Sequence, residues 1–471
     1  MSLICSISGI RGTIGSGPDN LNPENLIKFI AAFSETLASN KKDNKRIKVV
    51  IGRDGRVSGE MFLSLAINTL VSLGVDVLNL DLATTPTVEM AVILEKADGG
   101  IIISASHNPM DWNALKLLNS RGEFLNKKEG QRILKKINNE EINFVGVDSL
   151  GKVKNNFSYH NKHILEILKL SLVKKDKIKK SNLKIVVDGV NSVGALVIPE
   201  LLKSLGVKNI FNINKDIEGR FNHNPEPIDK NLKQLCLAVK KNKADLGIAV
   251  DPDVDRLAII DEKGHPIGEE YTLISIADYV FKNFSVFRNK YNKNSVSNLS
   301  SSMALKDLTM LAGGKYEASA VGEINVVEKM KKNKAVIGGE GNGGIIYPEL
   351  HYGRDALVGI ALFLSYLSTE NKTCSELRER LPNYFLLKEK IVLDSKVDLN
   401  KILLSVEKKY KSEKILKTDG IKIIFKKDKS WIHLRKSNTE PIIRIYCEAP
   451  NKREALKIFS ELELFIKNFI N

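Results

Sequence analysis

Three carboxylates at alternate positions, Asp251, Asp253 and Asp255 in the run Asp251-Pro252-Asp253-Val254-Asp255-Arg256, concentrate negative charge directly after the apolar stretch Gly247–Val250. Such a density is unfavourable without a cation, and oxygen-only ligands suit a hard ion such as Mg²⁺. An EF-hand calcium loop competes, because Glu262 falls at the twelfth position counted from Asp251. It fails on two points: Arg256 stands where the loop's sharp turn needs glycine, and the flanks Gly247–Val250 and Leu257–Ile260 read as strands where helices are required. The plain alternative is a solvated acidic turn.

A second segment, Ser104-Ala105-Ser106-His107-Asn108-Pro109, sets a hydroxyl beside an imidazole at the end of the apolar run Gly100–Ile103. A serine that carries phosphate covalently needs a metal to withdraw charge and donors to hold the phosphoryl oxygens. Taken alone, the same residues form an ordinary turn. Lys116, ten residues beyond Ser106, is by default a surface lysine. The loop Gly338-Gly339-Glu340-Gly341-Asn342-Gly343-Gly344 offers Glu340 and Asn342 as a grip on sugar hydroxyls, or is a plain chain reversal. Arg435-Lys436-Ser437-Asn438-Thr439-Glu440-Pro441, followed by Arg444, gathers hydroxyls, an amide and guanidinium groups as a phosphate clamp would. No P-loop and no G-x-G-x-x-G is present, so nucleotide binding has no support.

These loops need strands to carry them. Asn22-Pro23 is a helix start, with Leu26, Ile27, Ile30, Ala31, Phe33 and Leu37 at helical spacing behind it. Ile47–Ile51, Ile101–Ile103, Ile185–Val187, Gly247–Val250 and Ala335–Ile337 read as strands buried on both faces. Most end in polar or glycine-rich loops, where ligands of open α/β sheets bind. The last hundred or so residues change character: alternation at Ile421–Phe425, Trp431–Leu434 and Ile442–Tyr446 precedes a helical pattern from Arg453 to Phe469, which describes a smaller α+β domain.

A chain of 471 residues is too long for one core. Its net charge of +16 would admit nucleic acid, an anionic membrane surface or an anionic substrate. The lysines are scattered without aromatic interleaving or a nucleic-acid signature, which argues for a solvated face and against a nucleic-acid partner. Cys5, Cys236, Cys374 and Cys447 form no C-x-x-C pair, as expected in a reducing cytoplasm. The longest apolar run, near Ile360–Leu367, is too short to span a bilayer, and the N-terminal stretch around Arg11 lacks a signal-peptide pattern, so neither membrane insertion nor secretion is expected.

In this order the segments resemble the α-D-phosphohexomutase superfamily over essentially the whole chain. The phosphoserine loop at Ser106, the metal loop at Asp251, Asp253 and Asp255, the sugar loop at Glu340–Asn342 and the phosphate loop at Arg435–Thr439 carry the likeness. Gly9-Ile10-Arg11-Gly12, Gly52-Arg53-Asp54-Gly55-Arg56-Val57-Ser58-Gly59 and Asp188-Gly189-Val190-Asn191 support it. The resemblance implies three α/β domains with mixed sheets plus a C-terminal α+β domain around a central active-site cleft, at 1–150, 151–256, 257–372 and 373–471. It implies Ser106 as phosphoryl carrier and fourth ligand of one Mg²⁺, with Arg11, His107 and Lys116 in proton transfer and charge stabilisation. Arg435, Ser437, Asn438, Thr439 and Arg444 would bind the second phosphate of a bisphosphorylated sugar. Ala114 stands where the family usually has glycine, Ser104 where threonine is common, and the sugar loop is similar to the archaeal-type branch. Glucosamine phosphate is the first expectation for the substrate, with a phosphoglucomutase or phosphomannomutase next. A metal-dependent sugar phosphatase and a nucleic-acid binder are the readings from other classes.

Overall fold

The computed structural model describes residues 3–6, 9–17, 19–41, 45–137, 141–392, 399–426, 429–436 and 442–470. They form two compact units, 1–279 with 342–378, and 280–341 with 379–471.

In the first unit the expected helix runs Pro23–Asn40, and its start is a reciprocal cap: Asn25 N donates to Asn22 Oδ1 and Asn22 N to Asn25 Oδ1. Its apolar stripe of Leu26, Phe29, Ile30, Phe33 and Leu37 is buried in the core formed with Val49, Ile51, Ile101 and Ile103. The sheet beneath has seven strands in the order Ile4–Ser6, Gly9–Thr13, Trp112–Leu118, Gly99–Ile103, Lys48–Arg53, Asp76–Leu82 and Val153–Asn155. It is mixed. The last four pair in parallel, while Trp112–Leu118 runs antiparallel to both its neighbours. Asp76–Leu82 and Trp112–Leu118 are not among the expected strands, because Asn79, Asp81, Asn113 and Lys116 interrupt their apolar pattern.

A second sheet orders Leu257–Ile260, Leu246–Val250, Lys184–Asp188 and Asn209–Ile213, parallel except at the first pair. The hairpin joining Leu246–Val250 to Leu257–Ile260 is the aspartate-rich loop, so strand pairing pins both its ends. The apolar run near Ile360–Leu367 lies in helix Ala356–Glu370, which is buried along most of its length. Among the described residues no helix is long and apolar enough to cross a membrane.

In the second unit, Asn292–Asn298 pairs in parallel with Tyr316–Ser319 and Ala335–Glu340. The expected C-terminal α+β region is a five-stranded antiparallel sheet in the order Phe385–Val392, Ile442–Ala449, Ser430–Lys436, Ile421–Phe425 and Lys414–Leu416. Alternation decides its faces. Ile432, Leu434, Ile443, Ile445 and Cys447 join Leu462 and Ile466 of helix Lys452–Ile470 in the core. Trp431, His433 and Glu448 turn the other way, onto residues near 300: Met303 N donates to Glu448 at 2.8 Å, and Lys422 Nζ to Leu299 O at 2.6 Å.

His433 is buried between Asp419 O, 2.6 Å from Nε2, and Ser300 Oγ, 3.0 Å from Nδ1. One neutral tautomer satisfies both, donating from Nε2 and accepting at Nδ1. Burial lowers its pKa from 6.5 to about 4, since the Asp419 hydrogen bond only partly offsets the desolvation. A depressed folded pKa means that the unfolded chain binds the proton first, so stability is lost as pH falls from 6.5 towards 4. Between pH 7 and pH 5, denaturant unfolding followed by tryptophan fluorescence should show wild type losing roughly 2 kcal/mol more than His433→Gln.

Candidate active site

Strand Gly99–Ile103 is buried throughout and delivers Ser104 and Ser106 at its end. Ser104 Oγ donates to Asp54 Oδ2 at 2.7 Å and accepts from Ser106 N at 2.9 Å. Ser106 itself sits at φ 51°, in the left-handed region that non-glycine residues seldom occupy. Arg56 holds it there. Its guanidinium donates to the carbonyls of Ser106 at 2.5 Å, Asn108 at 2.7 Å, Pro109 at 2.6 Å and Trp112 at 3.1 Å. It also pairs with Asp54 at 3.0 Å, both side chains being fully buried. Burial pushes the Asp54 carboxyl up, and Arg56 and then Ser104 oppose it.

Ser106 Oγ donates to Asp251 Oδ2 at 2.5 Å and stands 3.3 Å from His107 Nδ1. The phosphoserine candidate and the aspartate loop, 145 residues apart, therefore meet. Ser192 ties the loops further, accepting from Gly55 N at 2.9 Å and donating to Pro252 O at 2.6 Å. Val190, Asn191 and Val254 also have positive φ, of 48°, 51° and 63°, so backbone strain gathers in these strand-end loops.

Asp251, Asp253 and Asp255 are fully buried, and a ligand oxygen from each lies within 4.8 Å of the others. Asp251 Oδ1 accepts from the N–H groups of Asp255 and Arg256, both at 3.1 Å. Asp253 Oδ2 accepts from Thr85 Oγ1 and Lys116 Nζ, both at 2.5 Å, and Asp255 Oδ2 from Arg354 Nη2 at 2.7 Å. Asp253 Oδ1 and Asp255 Oδ1 are buried without a hydrogen-bond partner. Two orphaned carboxylate oxygens beside Asp251 fit a hard divalent cation, since a buried unpaired charge is costly. Burial, then the charges of Asp255 and Asp253, raise the Asp251 carboxyl well above the usual carboxylate range. Asp253 goes the other way: burial opposes its charge, but Lys116 outweighs it. Lys116 is likewise held as an ammonium, because Asp253 and Asp255 overcome its desolvation. His107 is held neutral by burial and by Arg256, Arg11 and Arg354.

The aspartate-rich loop is thus neither a solvated turn nor flanked by helices. Lys116 departs from its surface default: it stands on strand Trp112–Leu118 with its ammonium on Asp253. Arg11 Nη1 reaches Asn108 Oδ1 at 3.3 Å. Asn342 Oδ1 accepts from Gly344 N at 3.2 Å. Gly343, at φ +81°, passes so close to Leu257 that a Cβ there would lie 2.3 Å from Leu257 O.

In the second unit, Glu340 ends strand Ala335–Glu340 and accepts from Asn298 Nδ2 at 2.8 Å and Gly322 N at 3.0 Å. Arg435 and Arg444 stand directly opposite each other on paired strands, and Lys390 faces Arg444 on the far side. Arg435 also reaches Asp419 at 3.4 Å. Ser437, Asn438 and Thr439 lie outside the described residues. Thr85, Ser192 and Arg354 around the aspartate loop, and in the second unit Lys390 beside Arg444, are residues that sequence reading does not single out, and Arg56 enters it only as part of a family-like stretch. Arg354-Asp355 before an apolar helix is a cap signal, and nothing in its spacing points to Asp255.

The sequence matches, in order, phosphoglucomutase/phosphomannomutase alpha/beta/alpha domain I over residues 4–143, domain II over 159–264, domain III over 268–385 and the C-terminal domain over 393–464. A phosphoglucomutase/phosphomannomutase of Thermococcus kodakarensis is 36% identical over 463 residues, covering 98% of this chain and 97% of the relative. The chain belongs to the phosphoglucomutase/phosphomannomutase family. As a phosphohexomutase it is an isomerase with the four-domain α/β architecture of that family. A phosphoglucosamine/phosphogalactosamine mutase of Sulfurisphaera tokodaii is 33% identical, covering 99% of this chain and all of the relative. The crystal structure of a phosphoglucomutase/phosphomannomutase family protein from Burkholderia thailandensis shares the fold at a TM-score of 0.83 and 24% identity, covering 99% of both chains.

Arg56→Ala in this phosphohexomutase should strip four carbonyls of their donor and leave Asp54 buried and unpaired. The expected loss is about 3–5 kcal/mol of stability in denaturant unfolding. Arg56→Lys should recover only a part, because an ammonium cannot serve that many acceptors in one plane.

Proposed function

We propose that this phosphohexomutase interconverts the 6- and 1-phosphates of a hexose, glucosamine first, through a phosphoryl group carried on Ser106. The observation that carries this reading is Ser106 Oγ, 2.5 Å from Asp251 Oδ2 in a buried aspartate cluster with two orphaned oxygens. Asp251, Asp253, Asp255 and Ser106 would hold one Mg²⁺, which when bound draws charge from the phosphoryl oxygens.

Phosphorylated Ser106 gives its phosphoryl group to the free hydroxyl of a sugar monophosphate. The bond from phosphorus to Oγ breaks, a bond from phosphorus to the sugar oxygen forms, and the hydroxyl proton passes to a neighbouring base. The bisphosphorylated sugar then turns over and returns its other phosphate to Ser106. Lys116, Arg11 and His107 flank the serine loop and suit charge stabilisation and proton transfer. Two poses require a phosphate grip away from the serine. Arg435 and Arg444 support that role, since they stand directly opposite each other on paired strands and their guanidinium groups suit a phosphate. Glu340 and Asn342 are the proposed sugar contacts, and Ser437, Asn438 and Thr439 the remaining phosphate contacts. The name of the S. tokodaii relative supports an amino sugar, and that of the T. kodakarensis relative keeps glucose and mannose as the second reading. All four cysteines are free, which supports a reducing, cytoplasmic setting.

A coupled mutase assay on glucosamine, glucose and mannose 1- and 6-phosphates, each primed with a trace of its bisphosphate, tests the substrate. Glucosamine phosphate should turn over fastest; release of inorganic phosphate without isomerisation would show a phosphatase instead. For the carrier, intact mass should show a fraction with one added phosphate, mapping to Ser106. Ser106→Ala should lose that mass and nearly all turnover, while Ser104→Ala should still accept phosphate. Phosphate mapping to Ser104 would sink the mechanism.

A further inference from the structure

Beside the aspartate loop lies a second ionisable cluster that phosphoryl transfer does not use. Glu89, His163, His351 and Asp355 are all buried. His163 Nε2 is 3.0 Å and His351 Nε2 3.3 Å from Asp355 Oδ2. His351 Nδ1 is 3.3 Å from Glu89 Oε2, and Thr87 Oγ1 is 3.1 Å from His163 Nδ1. Asp355 Oδ1 accepts from Leu357 N at 2.8 Å and Val358 N at 3.2 Å, capping helix Ala356–Glu370. Burial works against the charge of Asp355, but His163 and His351 hold its carboxyl below the usual range. Apolar residues could fill such a core without the desolvation cost of these groups.

What the quartet joins suggests its use. Thr87 and Glu89 belong to helix Thr85–Leu94, whose first residue donates Oγ1–H to Asp253 Oδ2 at 2.5 Å and N–H to Asp253 O at 2.9 Å. His351 and Asp355 flank Arg354, which holds Asp255 Oδ2 at 2.7 Å, and Ala356 N donates to Val254 O at 3.2 Å. The aspartate loop is therefore braced twice, by Thr85 on Asp253 and by Arg354 on Asp255. Each brace takes Oδ2 and leaves a buried Oδ1 without a hydrogen-bond partner. The quartet is the joint between the braces.

Resting on the metal-loop reading above, we infer that Glu89, His163, His351 and Asp355 are positioning residues that lock helix Thr85–Leu94 to the 351–356 turn, fix the aim of Asp253 and Asp255, and so set the divalent-cation affinity of the site. The test uses the full chain with Mn²⁺ as probe in isothermal titration, beside the Mg²⁺ dependence of turnover and thermal melting. His351→Gln should weaken Mn²⁺ binding by about 10-fold or more, as loss of support around a metal site does. Thr87→Val should shift it the same way to a smaller extent, with kcat at saturating Mg²⁺ nearly kept in both. Val92→Ala, a core truncation on the same helix, should lower the melting temperature and leave Mn²⁺ affinity unchanged.

Wild-type affinity in both His351→Gln and Thr87→Val would overturn the inference, as would an equal loss in Val92→Ala, which would make the role merely structural. A second equivalent of Mn²⁺ that disappears in His351→Gln would overturn it too, by making the quartet a metal site. If His351→Gln does not fold, Thr87→Val decides by the same criteria. Asp253→Asn separates the two levels. If wild type binds no Mn²⁺, or Asp253→Asn binds it equally well, the metal loop and this inference fall together. If only Asp253→Asn loses the ion, the inference alone falls.

Discussion

Three carboxylates buried in one five-residue loop are the constraint on which the rest of the first unit depends. Like charges packed this closely repel strongly at low dielectric, and the chain meets that cost with fixed partners. Lys116 and Thr85 stand on Asp253, Arg354 on Asp255, and two backbone N–H groups with Ser106 Oγ on Asp251. The partners are incomplete in a directed way, since one oxygen on each of Asp253 and Asp255 is left over. Their number and type suit a hard cation, and the serine hydroxyl stands beside them on Asp251.

Holding a hydroxyl there takes backbone strain, and the strain is carried by buried polar contacts. Ser106, Val190, Asn191 and Val254 all lie at positive φ in loops that leave strand ends. Arg56 collects four carbonyls of the serine loop, and Ser192 bridges Gly55 to Pro252. These contacts over-determine the loops, which lets unfavourable backbone conformations persist there. Rigid placement suits phosphoryl transfer, in which positioning and charge account for most of the catalysis.

The second unit solves a different problem with the same materials. Its antiparallel sheet separates an apolar face, covered by helix Lys452–Ile470, from a polar face that buries Trp431, His433 and Glu448 and carries Arg435, Arg444 and Lys390 abreast. Burying one end of that face gives the sheet a fixed seat, and the row of cations at the other end is suited to an anion.

How much of this was legible depends on how far along the chain each partner lies. By itself the sequence determined the parts whose signal is local: the capped helix from Pro23, strands such as Gly99–Ile103 and Leu246–Val250, the alternating C-terminal strands, and the clustering of Asp251, Asp253 and Asp255 in one loop after a strand. In each, neighbouring residues share one element, so periodicity and clustering report it. Tertiary structure alone decided that Lys116 is an inward ammonium on Asp253, 137 residues away, and that Thr85 and Arg354 grip the aspartates across 168 and 99 residues. It also turned Arg56 from part of a family-like stretch into the clamp of the serine loop. A threonine, an arginine or a lysine has no periodicity that betrays a distant partner. Such contacts exist only once the sheets have brought their strand ends together, and that is the physical reason the candidate residues could be picked out from their loops while the contacts that support them could not.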